Sequence, residues 1–172
     1  MVLDSMVRFQ GEISGLGADV KLVERENLHF TVKFLGEINE AQASQACSRL
    51  SKLPLKRMTV EVRGAGAFPS VPRARVVWAG VAGENVRLVS SFASDVISAL
   101  DGIGERDDRP FQAHITLGRV RSPRGLRELG DLLVRNSDRV FGTAELTELK
   151  LKSSVLTPKG PVYSDVGVFP LQ

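Results

Sequence analysis

The sequence predicts an α+β fold in which strands pair mostly antiparallel and helices cover the sheets. Helix-like and strand-like periodicities alternate along all 172 residues. Short turns join neighbouring strands, which favours antiparallel pairing over parallel crossovers. A tetrapeptide of the pattern His-apolar-Thr-apolar occurs at residues 29–32 and again at 114–117, and the two copies contain both histidines of the protein. This repeat indicates two similar halves.

Periodicity and end signals predict the elements in order. Helices are expected where apolar residues recur at helical spacing, and strands where polar and apolar residues alternate. Capping residues such as Asn39, together with glycine and proline, mark the ends. The expected helices cover residues 1–14, 39–53, 84–100 and 123–136. The expected strands cover residues 19–24, 29–36, 58–62, 75–81, 114–118, 139–156 and 162–169.

Three segments are expected to lie outside helices and strands. Residues 64–69 contain two glycines but match neither a Walker A nor a dinucleotide fingerprint, so we do not interpret them as a phosphate cradle. Residues 102–112 are polar and charged, and we expect them to form an exposed loop. Residues 157–161 have the composition of a turn between the last two strands.

The composition is that of a globular domain. Hydrophobic residues make up 42% and charged residues 25% of the chain. No apolar run approaches the length of a membrane span and no secretory leader opens the sequence, so we expect a cytoplasmic location. One cysteine, Cys47, and two histidines argue against a disulfide framework or a closed zinc site. We therefore predict no metal and no cofactor.

The two tetrapeptides form the candidate catalytic site. Alternate side chains of a strand share a face, so His29 should lie beside Thr31, and His114 beside Thr116. One neutral histidine can accept a proton from an attacking water while the other, protonated, donates one to the departing oxygen of a phosphodiester. A single histidine of this kind is more often structural, but the repeated frame favours catalysis.

With these motifs the chain resembles the 2H phosphoesterase superfamily, which is named for two His-x-Thr/Ser-x motifs. It is most similar to the RNA 2′,3′-cyclic phosphodiesterases of bacteria and archaea, also called 2′-5′ RNA ligases. The resemblance covers nearly the whole chain. Its further parts are Glu-Arg-Glu-Asn-Leu-His at 24–29, Phe-Leu-Gly at 34–36, Gly-Ala-Phe-Pro at 66–69, Arg-Val-Val-Trp at 75–78 and Ser-Val-Leu-Thr-Pro-Lys-Gly-Pro-Val-Tyr at 154–163.

The resemblance implies a single domain over residues 1–172, bilobal, with two pseudo-symmetric α+β halves and an active-site cleft between them. It implies hydrolysis of a terminal RNA 2′,3′-cyclic phosphate to a 2′-phosphate, and reversible 2′-5′ RNA ligation. His29 would be the general acid and His114 the general base, with Thr31 and Thr116 holding the phosphate. Arg119 matches the arginine that follows the second motif in the family, and we predict a supplementary phosphate contact for it.

Two alternatives stay open. The chain resembles members of a superfamily that also acts on small cyclic nucleotides or 2′-5′ oligonucleotides, and it could instead be a non-catalytic RNA or nucleotide-binding module. The arginines after Gly118 and the net charge of +3 favour a longer anionic partner, an RNA with 2′,3′-cyclic phosphate ends. We expect no membrane partner, and a monomer, because a bilobal domain encloses its own site.

The start of the chain departs from the family pattern. Members usually open with a hydrophobic strand, roughly Arg-x-Phe-x-Ala-x-Asp, ahead of the first helix, whereas this sequence begins with the helix. We expect this first family strand to be missing, either because the start codon is assigned too late, which we favour, or because the strand was lost. Its loss would expose backbone groups of a neighbouring strand.

Overall fold

The computed structural model describes residues 1–106, 110–158 and 160–172. Within these ranges the helices are α1 (Val2–Gly15), α2 (Glu40–Leu50), α3 (Val86–Ala99) and α4 (Leu126–Arg135). The strands are β1 (Val20–Leu22), β2 (Met58–Phe68), β3 (Val76–Ala82), β4 (His114–Val120), β5 (Val140–Leu146), β6 (Glu148–Thr157) and β7 (Gly160–Pro170). Short 3-10 helices occur at Arg25–Asn27 and Val71–Arg73. In these ranges no helix is both long enough and apolar enough to span a bilayer.

The chain folds into two compact units, each assembled from three segments. Unit 1 contains Met1–Thr31, Thr59–Arg87 and Gln112–Ala144. Unit 2 contains Val32–Met58, Leu88–Phe111 and Glu145–Gln172. Both combine helices with antiparallel strands, so the predicted α+β fold class is confirmed.

Unit 1 is built on a five-stranded sheet of order β1-β4-β3-β2-β5. Strand β4 pairs antiparallel with β1 on one side and with β3 on the other. One face of this sheet is apolar and shares a buried core with α1 and α4, because burial of apolar surface drives such packing. Its largest fully buried side chains are Phe9, Met6, Ile13, Leu117, Leu129, Leu133, Val62 and Val77. The other face of the sheet carries side chains that are not part of this core, both polar and aromatic.

Unit 2 packs α2 and α3 with a two-stranded sheet of β6 and β7. Its core contains Leu35, Ala46, Leu50, Val96, Leu100, Ile103 and Leu171. Asn39 caps α2 as predicted: its Oδ1 accepts from the Gln42 amide at 2.9 Å, and the Gln42 side chain accepts from the Asn39 amide at 3.1 Å. This reciprocal capping box satisfies two amides that the first helical turn leaves unpaired.

The first histidine segment is not the strand predicted over residues 29–36. Only Phe30 pairs, through a single antiparallel bridge to Ile115. The chain leaves unit 1 after Thr31, and Phe30 packs against the core of unit 1 whereas Val32 packs against the core of unit 2. The alternating apolar residues that predicted one strand therefore pack into two different cores.

Three other segments differ from their predictions. Residues 64–68 are not a loop, because β2 continues through them to Phe68. The strand expected over 139–156 is two strands, of which β5 joins the five-stranded sheet and β6 pairs with β7. In the loop expected over 102–112, residues 107–109 lie outside the described residues, and Ile103 is buried rather than exposed, because it packs into the core of unit 2.

Candidate active site

Residues 29–31 of the first histidine tetrapeptide and the whole of the second lie side by side in unit 1, and Val32 begins unit 2. The antiparallel bridge between Phe30 and Ile115 sets their register. Residues next to a bridge oppose each other, so His29 lies across from Thr116, and Thr31 across from His114. Both histidines belong to unit 1, because the first segment pairs directly with β4.

This register gathers the four polar side chains on one face. Phe30 and Ile115 both pack into the core of unit 1, so their neighbours in sequence point to the opposite face. The two histidines are diagonal partners, and such residues lie roughly 7–8 Å apart, with their Cβ atoms somewhat closer. That separation leaves room for one phosphoryl group between two imidazole rings.

Both histidine rings make the same hydrogen bond. The Nδ1 of His29 lies 2.6 Å from the Asn27 carbonyl, and the Nδ1 of His114 lies 2.6 Å from the Gln112 carbonyl. A carbonyl oxygen can only accept, so each Nδ1 carries a hydrogen and donates it. The Nε2 atom of each ring is therefore the nitrogen whose protonation can change.

His114 is held by the sheet and by an aromatic side chain. It lies on β4, half-buried, opposite Gly80 of β3. The ring of Phe68 meets the imidazole edge-on, with centroids 4.9 Å apart and planes at 85°. Phe68 in turn packs on Trp78 at 5.3 Å between centroids. Edge-to-face contacts of this kind restrict the rotation of a ring.

Trp78 lies on the face of the sheet that carries His29, Thr31, His114 and Thr116, which we call the histidine face. It requires glycine at the neighbouring position of β2. It pairs with Thr116 on one side and with Gly66 on the other. A Cβ built on Gly66 would lie 2.3 Å from Cζ2 of the indole, so only glycine fits beneath this ring. In the part of the chain that the structure describes, Trp78 Nε1 is the one buried side-chain polar atom without a hydrogen bond, and nothing there accounts for it.

His29 is held by a local turn rather than by a strand. It is exposed and follows the 3-10 helix Arg25–Asn27. The Asn27 side chain donates to Glu24 Oε2 at 3.3 Å. This hydrogen bond helps to fix Asn27, whose backbone carbonyl accepts the hydrogen bond from the His29 ring. The backbone amide of Glu24 and the Asn27 side chain together hold the pKa of the Glu24 carboxyl below its usual value.

The two motif threonines keep their hydroxyls available. Thr31 is exposed and Thr116 is half-buried. Across residues 1–106, 110–158 and 160–172, neither hydroxyl makes a hydrogen bond to the protein. Each can therefore donate one hydrogen bond to a ligand and accept others from it.

A β-bulge brings Arg119 to the histidine face. In a regular strand Arg119 would point away from His114, because the two residues are five positions apart, an odd number. Against β3, however, Thr116 pairs with Trp78 while Gly118 pairs with Val77, which inserts one extra residue into β4. Arg119 is exposed on the histidine face as a result.

The position of Gly118 supports this assignment of faces. A Cβ built on Gly118 would lie 2.7 Å from Val20 Cγ1 and 3.3 Å from Leu22 Cδ2. Val20 and Leu22 pack against the core of unit 1, so Gly118 faces the core and Arg119, the next residue, faces away from it.

Sequence reasoning missed Gln10, which anchors this bulge. Gln10 is only 5% exposed on α1. Its Nε2 donates to the Leu117 carbonyl and to the Val23 carbonyl, both at 2.8 Å. Buried carbonyls need partners, so this amide ties the helix to both strands at the irregular point. A polar residue on the apolar side of a helix was the available signal.

Sequence reasoning also missed the residues that orient the two rings. Asn27 and Gln112, both amide residues, each precede a histidine by two positions, so the repeat extends to Asn-Leu-His-Phe-Thr and Gln-Ala-His-Ile-Thr. Comparing the two tetrapeptides with their flanks would have revealed this extension. The role of Phe68 carried no such signal, because its contact with His114 depends on the sheet.

Comparison with known proteins places the chain among phosphoesterases. The model of the LigT-like phosphoesterase family matches residues 2–78 and 82–163. An RNA 2′,3′-cyclic phosphodiesterase of Archaeoglobus fulgidus is 42% identical over 158 residues, which cover 92% of this chain and 87% of that protein. One of Aeropyrum pernix is 35% identical over 160 residues, covering 92% and 90%.

Solved structures share the fold. The crystal structure of a Thermus thermophilus protein superposes with a TM-score of 0.73 at 29% identity, over 99% of this chain and 91% of that one. Escherichia coli LigT complexed with 3′-AMP superposes with a TM-score of 0.75 over 99% of this chain and 91% of that one. At 21% identity, the match to Escherichia coli LigT supports a shared fold only.

Proposed function

This chain belongs to the LigT-like phosphoesterase family, and we propose that it hydrolyses RNA 2′,3′-cyclic phosphate ends to 2′-phosphates. The observation that carries the proposal is the antiparallel register of the two motifs, with each histidine across from the threonine of the other. The names of the relatives from Archaeoglobus fulgidus and Aeropyrum pernix support the choice of substrate. The family match confirms the resemblance drawn from the motifs.

The proposed reaction divides two proton transfers between the histidines. His114, with a neutral Nε2, removes a proton from a water whose oxygen attacks phosphorus. The bond from phosphorus to the 3′ oxygen breaks, and His29 donates the proton of its Nε2 to that oxygen. The products are a 2′-phosphate and a 3′-hydroxyl, with His114 left protonated and His29 neutral. Each ring makes an equivalent hydrogen bond through Nδ1, so both proton transfers take place at Nε2, which supports this reaction scheme.

Donors around the phosphate would stabilise the transition state. Thr31 and Thr116 can donate their hydroxyl hydrogens to the non-bridging oxygens as negative charge develops there. Arg119, on the same face, can add a charge-assisted hydrogen bond. The two imidazoles supply both proton transfers, so we propose that the reaction is metal-independent.

Ligation follows from the same chemistry if a second RNA replaces water. The 5′-hydroxyl of that RNA would attack phosphorus, lose its proton to His114 and leave a 2′-5′ linkage, while the 3′ oxygen again departs. Removing the new linkage is the same step run backwards, so the reaction would be reversible. A single catalytic domain over residues 1–172, a monomeric state and a cytoplasmic location stay predictions of this proposal.

The test is turnover of an RNA oligonucleotide that ends in a 2′,3′-cyclic phosphate, with EDTA present and the product identified by phosphorus NMR. A 2′-phosphate supports the proposal, and a 3′-phosphate would contradict the assignment of the leaving oxygen. Turnover only of nucleoside cyclic phosphates or of 2′-5′ oligonucleotides would identify a related phosphodiesterase. Binding without turnover of any of these would identify a binding module.

A further inference from the structure

Two cations lie side by side on the histidine face. Lys21 of β1 is the cross-strand partner of Arg119 of β4. Cross-strand partners point to the same face, and the bulge puts Arg119 on the face of His114, so Lys21 lies there too. On its other side Arg119 pairs with Val76, two residues from the partner of Thr116. The cation pair is therefore about 6–7 Å beyond Thr116 along the sheet.

Within the described part of the chain, Lys21 and Arg119 have no ion pair, unlike Arg63 and Arg139 of the same unit. Arg63 bonds Asp138 at 2.6 Å, and Arg139 bonds Glu12 at 2.8 Å. By contrast, among the residues that the structure describes, no carboxylate oxygen lies within 4.0 Å of the Lys21 or Arg119 charge, and both side chains are exposed.

Glu24 forms no ion pair with Lys21 within 4.0 Å among the described residues. The two charges attract each other, but the Glu24 carboxylate accepts its hydrogen bond from Asn27. Lys21 and Arg119 thus remain like charges directly opposite each other on neighbouring strands, an arrangement that costs stability. An anion bound between them would remove that cost.

We propose that Lys21 and Arg119 form a subsite for the phosphodiester that precedes the reacting nucleotide of the RNA. This inference rests on the proposed function. A terminal 2′,3′-cyclic phosphate is joined to the preceding phosphodiester through a single ribose. In the proposed complex the cyclic phosphate lies between the two histidines, and the RNA chain extends on its 5′ side toward β1. The preceding phosphodiester then lies beside Lys21 and Arg119.

The two cations approach the preceding phosphate from two neighbouring segments. Arg119 shares β4 with His114 and Thr116, so it can contact the reacting phosphate or the preceding one. Lys21 lies across from Arg119, on the side of β4 that also holds the His29 segment, and in this subsite it contacts the preceding phosphate. Lys21 therefore favours oligonucleotides over mononucleosides, and it does so by binding rather than by chemistry.

The test compares a nucleoside 2′,3′-cyclic phosphate with a free 5′-hydroxyl and a dinucleotide that has the same terminal nucleoside but adds the preceding phosphodiester and its nucleoside. Lys21→Gln should raise KM for the dinucleotide roughly three- to fivefold, the size of an exposed charge contact, with kcat unchanged. On the mononucleoside it should change neither constant. Lys21→Arg should restore the dinucleotide KM.

Salt dependence gives a second readout. On a longer oligonucleotide, the slope of log(kcat/KM) against log salt should become shallower by about 0.7 in Lys21→Gln, because one phosphate contact is lost. Lys52→Gln removes the same charge from an exposed position of unit 2 and should leave both the KM ratio and the slope unchanged.

The outcomes separate the two proposals. If the wild type turns over neither substrate, the proposed function is refuted and the subsite with it. If the wild type is active but Lys21→Gln affects both substrates equally, or affects neither, the subsite is refuted and the proposed function stands. Thermal unfolding of each variant checks that a change in KM does not reflect loss of folded protein.

Discussion

His114 lies half-buried on β4, a strand with neighbours on both sides, whereas His29 lies exposed in a segment that touches the same sheet through one bridge. Their rings nevertheless make the same hydrogen bond, from Nδ1 to the carbonyl two residues earlier, at the same 2.6 Å. The orientation of the imidazole therefore does not require a strand. It requires a carbonyl at the right place, which a 3-10 turn supplies as well as an extended chain.

The two histidines differ in the further contacts that restrain them. For His114 the ring itself is restrained by Phe68, which rests on Trp78. For His29 the restraint is a side-chain bond from Asn27 to Glu24 on the protein surface. Packed aromatic contacts resist local opening more than exposed hydrogen bonds do. We therefore expect the His114 side to be sensitive to packing and the His29 side to tolerate substitution around it.

Loss of either imidazole should abolish most activity despite the unequal supports. His29→Ala and His114→Ala should each lower kcat about 10²–10⁴-fold, because each removes one proton transfer. The double variant should lose less than the product of the two single losses, since the residues act as a pair. Single-turnover rates on the cyclic-phosphate oligonucleotide measure this. A variant with wild-type kcat would remove its histidine from the mechanism.

Gly66→Ala should disturb the aromatic packing of Trp78 and Phe68 beside His114. The new methyl would overlap the indole of Trp78 at 2.3 Å, and overpacking of this kind costs about 1–3 kcal/mol of the free energy of unfolding. Urea unfolding measures the cost, and the fluorescence of Trp78, the single tryptophan of the sequence, reports displacement of the ring.

Gly11→Ala is the matched control, because a Cβ there has no atom within 4 Å and the site lies within α1. That substitution should leave the fluorescence unchanged and stabilise the protein slightly. Equal stability of Gly66→Ala and the wild type would show that the indole can move aside without cost.

Phe68→Leu should lower kcat roughly three- to tenfold, because the aromatic edge at His114 is worth about 0.5–1.5 kcal/mol. A double-mutant cycle tests whether this effect passes through His114. In a His114→Ala background the substitution should have no further effect, whereas in a His29→Ala background it should keep its effect. The same loss in both backgrounds would mean that Phe68 contacts substrate or supports the whole sheet.

Glu24→Ala should have the smallest effect, a loss of at most about twofold in kcat, because the bond to Asn27 is exposed. The pKa of Glu24 is lowered in the folded protein from 4.5, so its stabilising contribution is complete above about pH 4.5 and is lost as the pH falls through the lowered pKa. Melting temperatures of wild type and variant should therefore differ slightly at neutral pH and converge in acid. A difference that grows in acid would contradict this sign.

Local patterns predicted much of the fold and singled out the residues of the candidate site. Helical periodicity predicted α1, α2, α3 and α4 to within a few residues, and the Asn39 cap was predicted from its residue type. The repeated motif singled out four polar side chains that the structure gathers on one face. These features depend on nearest neighbours in sequence, which a single chain reveals.

What sequence could not supply was pairing between distant segments. The 29–36 alternation looked like one strand because nothing local tells that Phe30 and Val32 enter different cores. Gly64 and Gly66 looked like part of a loop because the groups that require glycine there, the Ser137 carbonyl beside Gly64 and the Trp78 indole beside Gly66, belong to distant segments. Arg119 was predicted from a family pattern, but its face depends on a bulge that only the register with β3 defines.

The division of labour between the histidines is tested most directly by the pH dependence of kcat/KM for the wild type and the two single alanine variants. The wild type should give a bell-shaped profile, since one histidine must be neutral and the other protonated. His29→Ala should keep only the limb that rises with pH, which reports His114 as base. His114→Ala should keep only the limb that falls. Retained limbs in the opposite order would reverse acid and base, and two intact bells would contradict paired-histidine catalysis.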